Sequence, residues 1–207
     1  EFGAAIAKLN NLEVMNVLTG FKFIGEKIKS FEENNNEKTY LFGYEESYGY
    51  LVGTHARDKD GVVASLLISE MAAFYYSQGM SLYEGLQELY KKYGYFKEET
   101  MSLTLAGIEG LEKIQEIMSY YRNNKIESFN NKKVVEVKDY SMGIDNLPKA
   151  NVLKYFLEDE SWVAIRPSGT EPKLKFYIAV KGKEESECDE KVAGIKSSIS
   201  EVLNTLM

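Results

Sequence analysis

Residues 161–181 read SWVAIRPSGTEPKLKFYIAVK. The runs WVAI and LKFYIAV have the composition of strands, and in the second Leu174, Phe176, Ile178 and Val180 alternate with more polar neighbours. A period of two puts one set of side chains on a buried face. Between the runs, RPSGTEPK (166–173) holds two prolines and a glycine, the punctuation of a turn. The stretch reads as a β-hairpin whose turn carries an arginine, two hydroxyl side chains and a lysine.

Outward from the hairpin, NVLKYFL (151–157), KKVVEVK (132–138) and TMSLTL (100–105) are further strand candidates. GIEGLEKIQEIMSYYR (107–122) predicts a helix with Ile108, Leu111, Ile114, Ile117 and Tyr121 on one face. A last helix carries Val192, Ile195, Ile199, Val202 and Leu206 on one stripe. The order βα, several antiparallel strands, α predicts an α+β sandwich, one sheet under two helices.

The first half has another rhythm. EFGAAIAKL (1–9) reads as helical with no capping residue before it, so the chain is expected to begin inside an element. LEVMNVL (12–18) and TYLFGYEE (39–46) are strand candidates, and GFKFIGEKIKSFEE (20–33) a helix. RDKDG (57–61) leads into VVASLLISEMAAFYYSQ (62–78), a long and mostly buried helix ended by Gly79. Ser81 and Glu84 form a capping-box signature for the next helix, which runs to Gly94. This alternation predicts an α/β layer. The boundary falls near Phe96–Thr100, giving domains 1–98 and 99–207.

Bulk numbers narrow the function. A net charge of −7 argues against a nucleic-acid partner, which needs clustered positive charge. No apolar run reaches the length that spans a bilayer. One cysteine, Cys188, allows no intrachain disulfide and fits a cytoplasmic setting. One histidine, His55, leaves no zinc site built from several His and Cys ligands, and nothing near it resembles a triad partner.

Four stretches carry chemistry. In the RPSGTEPK turn Arg166 offers a bidentate fork and Ser168 and Thr170 offer hydroxyls. Gly169 is expected to take a φ that lets successive N–H groups face one anion, while Pro167 and Pro172 stiffen the loop. The same residues would also serve a plain Ser-Gly turn with solvated charges. GYEESYG (43–49) puts two carboxylates and a serine at the C-terminal end of a strand, where open α/β sheets bind ligands and where carboxylates accept from sugar hydroxyls. Its alternative is an exposed acidic loop with Glu45 or Glu46 capping a helix. In RDKDG, Asp58 and Asp60 match the opening of a calcium loop, but the twelfth position is Ser69. Asp60 is better read as the N-cap of the long helix, and Lys59 either reaches a ligand or is solvated. In TGFKF (19–23), Thr19 and Gly20 lie at a helix N-terminus, which favours anions, and the aromatic residues around Lys22 are core.

Together and in this order, LTGFKFIGEKI, GYEESYG, RDKDG and RPSGTEPK resemble the α-D-phosphohexomutase family, which includes phosphoglucomutase and phosphomannomutase. The resemblance covers nearly the whole chain and points to the third of the family's four domains, without its opening strand, and to the fourth. It implies a three-layer α/β domain followed by a TBP-like α+β domain. It further implies that Thr19, Glu45, Ser47 and Lys59 contact the sugar, with Glu45 and Ser47 on ring hydroxyls. Arg166, Ser168, Gly169 and Thr170, with Lys175 as a further candidate, would hold the phosphate that is not being transferred. The family's phosphoserine loop and its D-G-D-x-D-R magnesium loop are absent, so no catalytic residue and no metal ligand is expected here. The expectation is a C-terminal part of a phosphosugar mutase, inactive alone. The parent would use Mg2+, a sugar bisphosphate activator and its own N-terminal domains. A phosphopentomutase of the same family and a non-catalytic phosphosugar-binding module are the alternatives.

Overall fold

The computed structural model describes residues 1–34, 38–45, 48–144, 147–169 and 171–207. In chain order they form α1 (Phe2–Leu9), α2 (Phe21–Glu33), β1 (Phe42–Glu45), β2 (Gly49–Val52), α3 (Gly61–Ser77) and α4 (Leu82–Tyr93). Then come β3 (Tyr95–Thr104), α5 (Gly107–Asn123), β4 (Ser128–Phe129), β5 (Lys132–Asp139), a short 3-10 turn (Tyr140–Met142), β6 (Leu153–Leu157), β7 (Trp162–Pro167), β8 (Lys173–Gly182) and α6 (Glu185–Leu206). They fall into two units, one of Glu13–Leu89 and one of Glu1–Leu12 with Tyr90–Met207.

The second unit is built on an antiparallel sheet of order β3-β8-β7-β6-β5-β4. One face is covered by α5 and α6. Ile114, Ile117 and Tyr121 from the first, with Val192, Ile195 and Ile199 from the second, pack on Tyr155, Val163, Ile165, Leu174, Phe176 and Ile178. This is the expected α+β sandwich, and the alternation in residues 174–180 does choose the buried side. Two details differ from the sequence reading. β3 starts at Tyr95, five residues before TMSLTL, because its charged opening pairs along β8 from Tyr95↔Gly182 to Thr104↔Lys173. Ile108 and Leu111 are exposed, and Gly110 is buried in their place. A Cβ on Gly110 would lie 2.1 Å from the Leu105 carbonyl oxygen, so the first turn of α5 approaches the preceding backbone through glycine.

In the unit Glu13–Leu89, Phe21 and Ile28 of α2 pack with Leu51 of β2. β1 and β2 form a hairpin from Phe42↔Val52 to Glu45↔Gly49. Asp60 caps α3, accepting from the Val62 and Val63 amides at 2.8 and 3.1 Å. The capping box on α4 is formed as expected: Ser81 N donates to Glu84 Oε2 at 2.7 Å, and Glu84 N to Ser81 Oγ at 3.2 Å. Gly79 ends the preceding helix at φ +73°. Two expectations are corrected. Residues 12–18 form no strand, because the sheet of this unit is a closed local hairpin and no strand among the described residues offers them a ladder. α3 contains no buried residue. It is apolar on all sides and needs cover all round, more than a two-stranded hairpin supplies; Leu66 and Phe74 stand 59% and 58% exposed.

Candidate functional site

Thr19, Glu45 and Lys59, three of the residues expected to contact a sugar, lie within the unit Glu13–Leu89. Within GYEESYG, Glu45 is the last residue of β1 and Gly49 the first of β2, so Glu45 ends a strand rather than capping a helix; Glu46 lies outside the described residues. A Cβ on Gly49 would stand 3.0 Å from Glu45 Oε2 and 3.0 Å from Lys59 Cδ. The missing side chain is therefore what lets the Glu45 carboxylate and the Lys59 stem approach over this glycine. Asp60 N donates to Tyr50 O at 2.8 Å, which ties the RDKDG segment to the hairpin and brings Lys59 beside it. The Lys59 ammonium lies 5.8 Å from the centroid of the Phe21 ring, and Phe21 opens α2 just after Thr19 and Gly20. Thr19 is exposed at that helix N-terminus. Structure thus brings Glu45 and Lys59 together, with Thr19 two residues from the ring that Lys59 faces. Ser47 lies outside the described residues.

The two aspartates of RDKDG are occupied. Asp58 Oδ1 accepts from the Lys59 amide at 2.7 Å and its ammonium at 3.3 Å, and these bonds hold its carboxyl below the usual range. Asp60 is likewise held low, first by His55 Nε2 at 2.8 Å from Oδ2 and then by the Val63 and Val62 amides. His55 therefore braces a helix cap, a role that no sequence signal marked. Among the described residues no three His, Cys, Asp or Glu side chains form a group that could hold a metal ion. With Asp58 and Asp60 both engaged, these residues do not fit a magnesium site.

In the unit containing the sheet, RPSGTEPK is the β7–β8 turn. Ser168 N donates to Lys173 O at 2.8 Å and Lys173 N to Glu171 O at 2.7 Å, closing the loop. Leu105 N bonds Pro172 O at 3.0 Å, fastening the turn to the end of β3. Arg166 sits directly opposite Lys175, and Lys175 opposite Ser102. Cross-strand partners share a face, so a guanidinium, an ammonium and a hydroxyl lie in one row at the turn end of the sheet, on the side away from α5 and α6. Neither Arg166 nor Lys175 makes an ion pair within 4.0 Å of a carboxylate among the described residues, whereas Lys173 is paired to Glu171 at 2.8 Å and the Lys175 charge reaches that carboxylate only at longer range. Gly169 does not take a positive φ, so it would join a nest from the right-handed or extended region. A Cβ there would meet nothing within 4 Å, and the glycine leaves the loop surface open to a ligand. Thr170 lies outside the described residues. Ser102 and Gly49 were missed by the sequence reading. The alternation in TMSLTL and the paired glycines of GYEESYG were their only signals.

Residues 3–93 match the family model described as phosphoglucomutase/phosphomannomutase, alpha/beta/alpha domain III. Residues 110–195 match the C-terminal domain of the same family. The chain belongs to the phosphoglucomutase/phosphomannomutase family. A phosphoglucomutase of Staphylococcus aureus is 38% identical over 192 residues, and one of Staphylococcus saprophyticus is 35% identical over 191. Each alignment covers 87% of this chain and 34% of the relative, so the chain spans about a third of the length of these curated relatives. The open-form crystal structure of parafusin, a phosphoglucomutase from Paramecium, superposes with a TM-score of 0.64 at 19% identity. It covers 98% of this chain and 35% of that one, and supports the fold. The three-layer and α+β fold classes expected of the two halves are thus those of the family's third and fourth domains.

Proposed function

We propose that this chain supplies the sugar- and phosphate-binding half of a mutase that interconverts hexose 1-phosphate and hexose 6-phosphate through a phosphoserine and a bisphosphate intermediate. Residues 1–98 would form the sugar domain and 99–207 the phosphate domain. Glu45, Ser47, Lys59 and Thr19 would hold the ring. Arg166, Ser168, Gly169, Thr170 and Lys175 would hold the phosphate that stays put. The nucleophile and the Mg2+ ligands would come from the N-terminal domains of a longer cytoplasmic parent, with a sugar bisphosphate as activator.

The observation that carries this reading is the row of Arg166 and Lys175, two cations facing one direction at the sheet's turn end, neither ion-paired to a carboxylate among the described residues. A dianion is the natural counter-ion for a fork and a point charge so placed. Phosphoryl transfer is largely positioning plus charge neutralisation, and this chain would provide the positioning part. Glucose and mannose share the C3 and C4 hydroxyls that Glu45 and Ser47 would contact, so the sugar must be identified by assay. The test follows the phosphorus resonances of glucose 1-phosphate, mannose 1-phosphate and ribose 1-phosphate, each incubated with the parent, magnesium and a trace of sugar bisphosphate. Conversion of a hexose 1-phosphate to its 6-phosphate, lost in Arg166→Gln, is expected. Conversion of ribose 1-phosphate alone would make the enzyme a pentomutase. Silence from a folded, phosphorylated parent would refute the mutase.

A further inference from the structure

Leu105 stands between the RPSGTEPK turn and α5. Its amide donates to the Pro172 carbonyl at 3.0 Å, one step beyond Thr104↔Lys173, the last ladder pair of β3 with β8. Its carbonyl lies against Gly110 in the first turn of α5. A Cβ on that glycine would stand 2.1 Å from the Leu105 oxygen, 2.4 Å from its carbonyl carbon and 3.0 Å from its Cβ. Ser102, on the same stretch of β3, faces Lys175, so the strand end that Leu105 closes is also the one that sets the cationic row.

Gly110 is a costly residue where it sits. Glycine is poor in a helix interior and alanine is the best helix former. Gly110 takes no positive φ, so no special backbone conformation calls for it. What calls for it is the Leu105 oxygen. A carbon and a carbonyl oxygen settle at about 3.3 Å, so a methyl at position 110 would drive the Leu105 carbonyl back by about 1 Å. The carbonyl and the amide of one residue belong to adjoining rigid peptide planes, and a carbonyl displaced that far turns the amide with it. The bond to Pro172 then bends, and hydrogen bonds weaken steeply with angle.

We infer that Gly110 is a positioning residue for the phosphate turn: it lets α5 seat the Leu105 carbonyl, and the seated Leu105 fixes Pro172 and with it the angle at which the loop faces an anion. The inference rests on reading the turn as a phosphate site. The bond from Ser168 N to Lys173 O closes the loop on itself and keeps its shape. The bond from Leu105 fixes where that shape stands on the sheet. A misplacement of about 1 Å is enough to spoil donors that must converge on one anion.

The 207-residue chain and its variants are titrated with inorganic phosphate by calorimetry. Exchange of the Leu105 amide is followed by NMR, and the unfolding midpoint by Trp162 emission. Gly110→Ala should bind phosphate about tenfold more weakly, the loss expected of one charge-assisted contact. Its Leu105 amide should exchange faster. Ile114→Val loosens the same helix at its buried face and leaves the approach of Gly110 to Leu105 as it is. It should lower the midpoint and leave phosphate affinity unchanged. Leu105→Pro removes the amide and keeps Gly110, so it should weaken phosphate binding as Gly110→Ala does, and it carries the test where the alanine variant does not fold. Unchanged affinity in a folded Gly110→Ala, or in Leu105→Pro, overturns the positioning role and leaves the turn's own role intact. Equal losses in Gly110→Ala and Ile114→Val overturn it in favour of a general loosening of α5. Absence of phosphate binding by the unaltered chain overturns the turn reading and this inference with it.

Discussion

Tyr121 and Tyr155 offer one chemical edit with two opposite expected signs. Both rings are buried in the core under α5, 6.3 Å apart in edge contact. The Tyr155 hydroxyl donates to the Tyr121 carbonyl at 2.6 Å, serving one of the carbonyls that the last turn of α5 leaves unpaired. The Tyr121 hydroxyl is buried with no hydrogen-bond partner among the described residues. Tyr155→Phe keeps the ring, opens no sizeable cavity and strands that carbonyl, which should cost about 1–3 kcal/mol. Tyr121→Phe removes a hydroxyl that gains nothing from being buried, so stability should hold or rise by up to about 1 kcal/mol. Urea unfolding followed by Trp162 emission isolates the unit in question, because Trp162 is the only tryptophan and lies in β7. With a slope of about 2 kcal/mol/M, Tyr155→Phe should lower the midpoint by about 0.5–1.5 M. Equal falls for the two variants, or an unchanged midpoint for Tyr155→Phe, would refute the account of which hydroxyl is satisfied.

Three further outcomes are expected. Gly85→Ala would put a methyl 2.5 Å from the Tyr75 ring, forcing α3 and α4 apart at a cost of about 1–3 kcal/mol; faster amide exchange along both helices would show it, and unchanged exchange would count against their close approach. Gly169→Ala meets nothing within 4 Å and no positive φ, so the unfolding midpoint should stay put while phosphate affinity falls; retained affinity would exclude close ligand approach at that loop. The Asp60 carboxyl is held low by His55 and the Val63 and Val62 amides, so its contribution to stability is present above the ordinary carboxylate pKa and disappears as pH falls through the lowered folded value. Protection of the Val62 and Val63 amides should therefore weaken on acidification below that ordinary range, and protection that grows there would reverse the sign and discard the cap.

The hairpin was legible because Leu174, Phe176, Ile178 and Val180 state their period plainly and Pro, Ser and Gly mark where it breaks. The first half of β3 was not, because Lys97, Glu98 and Glu99 look solvated until β8 gives them a partner and α6 gives Glu99 a lysine, Lys196. Ile108 illustrates another limit. Helical spacing predicted it buried, but a single glycine, Gly110, sets which side of the helix meets its neighbour. α3 shows the reverse case: apolarity all round promises burial, yet only neighbouring structure can deliver it. The site divides the same way. Arg166 and its turn could be read as a local cluster, whereas the meeting of Glu45 and Lys59 over Gly49 joins residues fourteen positions apart and needs the β1–β2 hairpin to be known first.

Register turns these fragments into chemistry. Arg166 opposes Lys175 because Ile165 and Val163 are buried beside Phe176 and Ile178, which fixes the pairing of β7 with β8. A slip of one residue would turn Arg166 into the apolar layer beneath α5 and lift Ile165 to the open face. No such slip is tolerable, since an unpaired guanidinium in that layer would lose its hydration with nothing to replace it. The same constraint extends through Lys154↔Ala164 to Lys138, so the apolar residues that choose the buried face also hold four cations in two rows on the other. None of these lysines is distinctive in the sequence; what sets them on one face is the pattern of burial directly behind them.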